Sequence, residues 1–548
     1  MATLQRKKIH GNWYWYITEC RRIKGKPRPV VLKYIGTADK LVSMLMQLDS
    51  LPELRITSYE HGSVYCLHKI AQEAGIAAIF KKHFSSQMRD GMSVAESLLM
   101  ISIYRACRPA SKRAFSEWAA GTTLPHSMGF EVRRMTSQHF WDQMNSVKEE
   151  EIERAEEEIA QTLIKTMGIS LDILLYDVTN FFTFIASDNK RNTLCQRGRN
   201  KQKRDDLRQF NLAILISRNS YIPLLSEVYE GTIPDVKSFA SLLSKIRKRL
   251  SFIAQEIEDI TLVFDKGNYS KEIQKELQEA QVKWVGSLSL SMHSDYARIR
   301  RNRFHRIKLS NEKKISCFRI EKDLWGKKMA MVIVFSKKLY QGQMRGFKKA
   351  LAKAIVYLKA IDGTRKKIDT VTRELKSLLS KEHIKEALIT HITRKGNRIQ
   401  ARWYTDKRSY QYLLKEYFGR KVLFSTNLDW TDAEIIEAYY GLGKIENYFR
   451  ILKNPFHFSV RPQYHWTDQK IKVHVFTCLV GLILTALLFK KVQENHIAIS
   501  PTRMLHELSK VRESLIMEIS GRKGKPRARR KVEEMGDQAF RLYKLLSI

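Results

Sequence analysis

Acidic side chains, cysteines and long apolar runs are all scarce in this chain of 548 residues. The six cysteines (Cys20, Cys66, Cys107, Cys195, Cys317 and Cys478) are scattered and form no Cys-x-x-Cys pair. This excludes a disulfide framework and a cysteine-built zinc site, and predicts reduced thiols in a cytosolic protein. Asp and Glu number 57 against 97 Lys and Arg, a formal net charge of +40. Such an excess favours a polyanionic partner, because counterions released from phosphates drive association. Ribosomal and membrane-surface proteins share the trait, so charge names a class and no mechanism.

A secretory signal is also missing: MATLQRKKIHGNWYWYI has no apolar core and no small-residue cleavage pattern. One stretch alone approaches membrane length, VHVFTCLVGLILTALLF at 473–489, with His474 inside it. A span needs about 20 apolar residues. The expectation is a buried core helix and no membrane partner.

What is present begins with 43% hydrophobic residues, enough for real cores, and a length that predicts two to four domains. Residues 1–60 read as an N-terminal β unit, with WYWYITEC and PVVLKYIG as strands around the turn KGKPRP. Residues 61–168 read as a helical, DNA-binding region; Gly75 marks a helix-turn-helix or plain hairpin break, and Arg105, Arg108, Lys112, Arg113 and Trp118 are its candidate duplex contacts. Residues 169–290 alternate strands and helices, including the hairpin FNLAILIS/YIPLLSEVYEG. Residues 291–428 read as an inserted α+β domain around a Lys-rich helix from roughly 341 to 379. In 429–492, Thr431 and Glu434 form a capping-box pair that opens a helix, and the apolar run follows. Residues 493–548 are a basic C-terminal region, whose GRKGKPRARRK cluster reads as solvated or phosphate-contacting rather than folded.

Two aspartates stand directly after buried-strand patterns. In LDILLYDVTN the apolar block 173–176 precedes Asp177, and in ITLVFDKGN the block 260–264 precedes Asp265. Each alone is a turn former more often than a ligand. Open α/β sheets, however, keep their sites at the carboxyl edge of the strands, so both could share one edge.

Together these parts resemble the DDE transposases of bacterial insertion sequences, in the insertion-sequence-four-like group. The likeness covers about 171–290 and 430–490, and is weaker before that. The family's Y-D-x-T motif is matched by Tyr176-Asp177-Val178-Thr179. Its loop G-x-S-K-x-x-R-x-D-L-x-Q is matched by Gly198, Arg199, Asn200, Lys201, Arg204, Asp206, Leu207 and Gln209, and its G-N-x-x-D by Gly231 to Asp235. Of the signature Y-x2-R-x3-E-x6-K, this chain keeps Tyr439, Glu446 and Lys453, and has Leu442 where the family has arginine. Seven residues make nearly two helical turns, so Tyr439, Glu446 and Lys453 share a face, with Arg450 on its shoulder.

The resemblance implies an RNase H-like catalytic core, a mixed five-stranded sheet with flanking helices, interrupted by the inserted α+β domain. It implies Asp177, Asp265 and Glu446 as catalytic residues and as ligands of two Mg2+ or Mn2+ ions, since hard dications take carboxylate oxygens. Tyr439, Arg450, Lys453, Arg199, Lys201 and Arg204 are then the DNA-binding candidates. The implied activity is cut-and-paste transposition: binding terminal inverted repeats, cleaving phosphodiesters, and transferring 3′-OH ends to target DNA, with a hairpin intermediate. The implied assembly is a homodimer in a synaptic complex, in the bacterial cytoplasm on the nucleoid.

Two other readings compete. Leu442 leaves open a DNA-binding protein without catalysis, a repressor or architectural factor. The run 473–489 leaves open a basic membrane-associated protein. His457, His465 and His474 match no compelling zinc spacing and read as structural.

Overall fold

The computed structural model describes residues 2–23, 26–49, 53–186, 188–198, 200, 204–219, 222–233, 245, 259–265, 282–290, 293–454, 460, 464–519 and 527–547. The expected helices after Ile233 and after Asp265 lie outside these residues, as do Asp235, Gly267, Asn268 and His457.

At the N-terminus, β1 (Ala2–Ile9), β2 (Asn12–Ile23) and β3 (Lys26–Gly36) make a three-stranded antiparallel sheet, one strand more than the pattern predicts. His10 and Gly11 join β1 to β2 with φ of 47° and 83°. Two positive φ values define the type I′ turn, whose twist matches that of a hairpin. The helix Ala38–Asp49 packs on β2 and β3, and β4 (Glu53–Glu60) leads away from the unit.

Helices Gly62–Glu73, Ile76–His83, Val94–Cys107 and Glu149–Met167 follow, with two-residue strands β5 (Met88–Arg89) and β6 (Met92–Ser93) between the second and third. Gly75, at φ 74°, makes the corner between the first two. Ser93 and Glu96 form a capping box on the third: Ser93 N donates to Glu96 at 3.0 Å and Glu96 N to Ser93 Oγ at 3.2 Å. That helix lies along the long apolar helix Asp468–Glu494. The two backbones come so close that a Cβ on Gly481 would stand 2.6 Å from the Ser102 carbonyl oxygen. The apolar window is 89% buried inside the fold, as a core helix should be.

The central sheet is larger than five strands. It takes β7 (Ile173–Thr183), β8 (Gln196–Arg197), β9 (Arg208–Ser217), β10 (Pro223–Glu230), β11 (Thr261–Val263) and β12 (Lys283–Leu288) from the first part. From the insertion come β13 (His305–Lys308), β14 (Lys314–Leu324) and β15 (Lys327–Phe335). The hairpin β16 (Leu388–Lys395) and β17 (Arg398–Thr405) stands apart, and β18 (Arg420–Ser425) returns to the sheet. The order is β10-β9-β7-β11-β12-β18-β15-β14-β13, with β8 beside β9, ten strands in all. β7 is antiparallel to β9 and parallel to β11, and β11 is parallel to β12. Where a five-stranded sheet would end, β18 pairs with β12 and satisfies the backbone groups of its outer edge. The insertion therefore continues the sheet.

The remainder of the insertion builds its own apolar core, with Phe347, Leu358, Val371 and Phe418 fully or almost fully buried. Its Lys-rich stretch forms two helices, Lys337–Ile361 and Ile368–Leu379, rather than one. Gly363 breaks it at φ 76°, its N–H reaching the Ile399 carbonyl at 2.8 Å, while the Asp362 carboxylate accepts the Ala401 N–H at 2.9 Å. These bonds clamp the break to β17.

Near the C-terminus, β19 (Arg512–Ile519) lies between β4 and β20 (Arg527–Val532). Part of the basic cluster expected to be unfolded is thus an edge strand, because β19 offers it a free ladder.

Candidate active site

The sheet opens at the place the two aspartates occupy. β11 ends at Val263, which pairs with Leu175 of β7, so two residues further on Asp265 stands level with Asp177. Val263 also pairs with Val285 of β12, which puts Ser287 level with Asp265 on the other side. The side chains bear this register out: Ser287 Oγ donates to Asp265 Oδ1 at 3.2 Å. Asp265 follows a strand end, as its sequence context implies. Asp177 does not. β7 continues to Thr183, paired with β9, and Asp177 sits mid-strand opposite Ile214. The expected strand end is instead a notch, since β7 runs on where its parallel neighbour stops. Residues 177–180 are half-buried between fully buried stretches of β7, which marks the opening.

The helix Asp432–Tyr440 starts with the predicted box, Thr431 N donating to Glu434 at 2.7 Å and Glu434 N to Thr431 Oγ1 at 3.3 Å. Gly441 separates it from the helix Leu442–Lys453 yet keeps helical φ and ψ, −52° and −30°. The chain therefore passes the glycine without losing register. Tyr439 is buried and donates to Asp265 Oδ1 at 2.7 Å, with Ser287 Oγ at 3.0 Å. Burial, the Asp265 charge and, more weakly, Glu446 push its phenol far above the ordinary range, so it stays protonated.

The Leu442–Lys453 helix packs along β7. At its start Gly441 lies against Leu175, a Cβ there falling 3.1 Å from Leu175 Cδ2. At its end Lys453 donates to Thr179 Oγ1, with its ammonium 5.4 Å from the Phe181 ring centroid. Leu175, Asp177, Thr179 and Phe181 alternate onto one face of the strand, so the helix is laid along the face that carries Asp177. Glu446 lies between these two anchors and is exposed. Arg450 is also exposed and donates to Asn447 Oδ1 at 2.6 Å.

Leu442, in the signature's arginine position, is buried in the main core. Lys444 turns elsewhere, donating to the Arg218 carbonyl at 3.3 Å.

The basic loop is only partly described, and Arg199 and Lys201 lie outside the described residues. Arg204 grips Asp206 through two bonds of 2.8 and 2.7 Å, which holds the Asp206 carboxyl down at about 2. The loop's flanking glycines have a packing role. Gly198 and Gly231 close on Gln209: a Cβ on Gly198 would be 2.8 Å from the Gly231 carbonyl oxygen, and one on Gly231 would strike the Gln209 carbonyl. Gln209 also donates to the Gly231 carbonyl at 3.1 Å and accepts from Asn180 at 3.1 Å. Three spaced motif residues thus form one junction beside the Asp177 strand. Sequence reading missed Asp468, which opens the long apolar helix. Its carboxylate takes the Thr193 hydroxyl at 2.6 Å and the Leu194 N–H at 3.0 Å, tying the loop to that helix. Its only signal was an acid in the first turn of a helix.

Of the candidate duplex contacts in the helical region, Arg105 and Trp118 are buried, Arg105 donating to the Ala110 carbonyl at 2.8 Å. Lys112 stands 3.1 Å from His465 Nε2, and its burial, with Arg105 nearby, pulls its pKa down to about 7. His465 and His474 face each other at 4.6 Å between ring centroids. Arg105 and Trp118 are thus interior and Lys112 is half-buried, whereas Arg108 and Arg113 are exposed.

Asp177, Asp265 and Glu446 carry only oxygen donors, the kind hard dications such as Mg2+ take, but they are not among the groups whose ligand atoms lie within 4.8 Å of one another. Among the described residues, a different group brings three potential ligand atoms within 4.8 Å of one another: His305, Cys317 and Asp432. There His305 Nε2 meets Asp432 at 2.9 Å, and burial together with Asp432 raises the Cys317 thiol to about 12. Arg319 joins this corner, donating to the Trp430 and Leu428 carbonyls at 2.5 Å each, and so fastens β14 to the start of the Asp432–Tyr440 helix.

No family model and no curated relative matches the chain. Solved structures similar to it include two transposase complexes. One is a piggyBac transposase synaptic complex with hairpin DNA, at 8% identity and a TM-score of 0.39, covering 82% of this chain and 79% of that one. The other is a Mos1 transposase paired-end complex with left transposon end, at 11% identity and a TM-score of 0.15. The match takes in 36% of this chain and 59% of the Mos1 chain.

Proposed function

We propose that this protein is a DDE-type transposase of an insertion sequence, with an RNase H-like core formed by β10-β9-β7-β11-β12. The observation that carries the reading is the register of β7 with β11, which brings Asp177 and Asp265 level across adjacent parallel strands. The Glu446 helix lies along the same face of β7. In this reading the Glu446 carboxylate would join the two aspartates at that edge.

In this reading the substrate is double-stranded DNA, at the terminal inverted repeats and then at the target. The reaction is phosphodiester hydrolysis followed by attack of the freed 3′-OH, in a homodimer that pairs two ends. Asp177, Asp265 and Glu446 would hold two Mg2+ or Mn2+ ions, which when bound supply activation of the attacking oxygen and charge stabilisation of the leaving one. The protein's own contribution is orientation. Tyr439 and Ser287 fix one oxygen of Asp265, and Lys453, tethered at Thr179, sets a cation beside the notch to receive a phosphate. Arg450 and the basic loop with Arg199, Lys201 and Arg204 extend that positive rim. Leu442, the ground for a reading without catalysis, serves as core packing.

The test is cleavage of a labelled duplex carrying the element's terminal repeats, with Mg2+ or Mn2+, beside Asp265→Ala and Glu446→Ala. Metal-dependent nicking at the repeat boundary, lost in both variants, is the expected result. Tight binding with no cleavage by any of the three proteins would instead identify a catalytically silent DNA-binding protein.

A further inference from the structure

Among the described residues, the sheet β1-β2-β3 contributes none to the two hydrophobic cores. What it presents is charge and rings. Residues 2–36 contain nine Lys and Arg and a single carboxylate, Glu19, which pairs with Arg21 at 2.8 Å. The hairpin of β1 and β2 carries no acid at all before Glu19.

Its cations stand on aromatic rings. Arg6 lies 4.5 Å and Lys8 5.9 Å from the Trp13 ring centroid. Across the ladder Lys8 faces Trp13 and Arg6 faces Trp15, so all four share one side of the ribbon. On the other side Lys7 faces Tyr14 and lies 5.8 Å from the Tyr16 ring. Among the described residues no ion pair involves Arg6, Lys7 or Lys8. Trp13 and Leu4 remain 45% and 49% exposed, an unfavourable display for apolar groups unless a partner covers them.

Dimensions and charge both select the partner. Two strands about 4.8 Å apart, with side chains, fit a major groove about 12 Å wide. The eight residues of β1 extend about 26 Å, within one turn of duplex. We propose that the β1–β2 ribbon is a duplex-docking surface that lies in the major groove. Arg6, Lys7 and Lys8 meet phosphates, and the exposed Trp13 and Leu4 meet base edges and thymine methyls. This rests on the reading that the chain acts on DNA. It adds a duplex contact on the appended sheet to the helical region, where Arg105 and Trp118 are interior and Arg108 and Arg113 stay exposed.

The experiment uses the full-length chain and fluorescence anisotropy with duplexes tiled across the DNA flanking its coding sequence. Wild type is compared with Arg6→Ala/Lys8→Ala/Trp13→Ala, with the charge reversal Arg6→Glu/Lys8→Glu, and with Asp265→Ala. The expected result is an affinity loss of about tenfold or more in both ribbon variants, and a salt slope of log K shallower by about two in the triple variant. Circular dichroism should be unchanged in the ribbon variants, while Asp265→Ala should lose cleavage. Unchanged affinity in the ribbon variants overturns the proposal. So does ribbon-dependent binding to phosphatidylcholine–phosphatidylserine vesicles without any effect on duplex binding. Ribbon-dependent binding with no cleavage by wild type would leave the ribbon standing and remove the transposase; cleavage with ribbon-independent binding would do the reverse.

Discussion

Tyr439 donates a hydrogen bond of 2.7 Å to Asp265 Oδ1, although 174 residues separate the two in sequence. The bond joins the helix that leads to Glu446 to the strand that carries the second aspartate. A first prediction follows. Tyr439→Phe keeps the ring and its burial but frees that oxygen, and should cut metal-dependent cleavage by about 10–100-fold, the usual cost of losing a partner to a ligating carboxylate. Stability should fall by only about 1 kcal/mol. Because the phenol is held protonated, wild-type cleavage should show no alkaline limb from Tyr439 in a pH–rate profile.

Leu442→Arg installs the arginine of the signature this chain resembles and should nonetheless do harm. The position is buried among apolar groups, where an unpaired charge costs about 3 kcal/mol. A lower thermal midpoint without a gain in cleavage is expected. A rise in activity at unchanged stability would show that the side chain finds solvent and phosphate.

Lys453→Gln removes one cation at the notch while leaving a group able to reach Thr179. Duplex binding should weaken to a similar degree for all sequences, and the slope of log K against log salt should flatten by about one. Titration at several salt concentrations checks this.

Gly231→Ala would drive a methyl group into the Gln209 carbonyl, in the junction that also closes on Gly198. Backbone has to move there. Limited proteolysis should reveal faster cutting in the basic loop, and DNA cleavage should fall even though no proposed ligand has changed.

His465 and His474 are buried against Lys112 and Arg105, and both imidazoles are held well below their ordinary value of 6.5, burial being the larger cause. Folded-state pKa values below the unfolded ones mean that the unfolded chain binds more protons as pH falls. Stability should therefore decline from about pH 7 to about pH 5, and Lys112 extends the same sign upward between about 7 and 10.5. Denaturation midpoints across this range test it, with the acid limb shallower in His474→Asn.

Much of the plan was legible one segment at a time. Apolar blocks gave β7, β9, β10 and β11, because buried strands must be apolar and turn residues must bound them. The Thr431–Glu434 box gave a helix start, since capping is a contact between residues three apart. The sequence also determined the candidates Asp177, Asp265 and Glu446, through the resemblance of their surroundings to a known pattern.

What local pattern could not carry was decided by tertiary structure. Asp177 became a mid-strand residue at a notch because β11 stops beside it, a fact about a neighbour 88 residues away. The insertion joined the sheet because β12 had an open edge, and no composition shift announces such a pairing. Arg105, Lys112 and Trp118 look in sequence like a face for DNA and turn inward because other elements cover them. Chemistry-bearing residue types are written in the chain; which of them meet, and which are buried, depends on the register and packing of segments that sequence distance keeps apart.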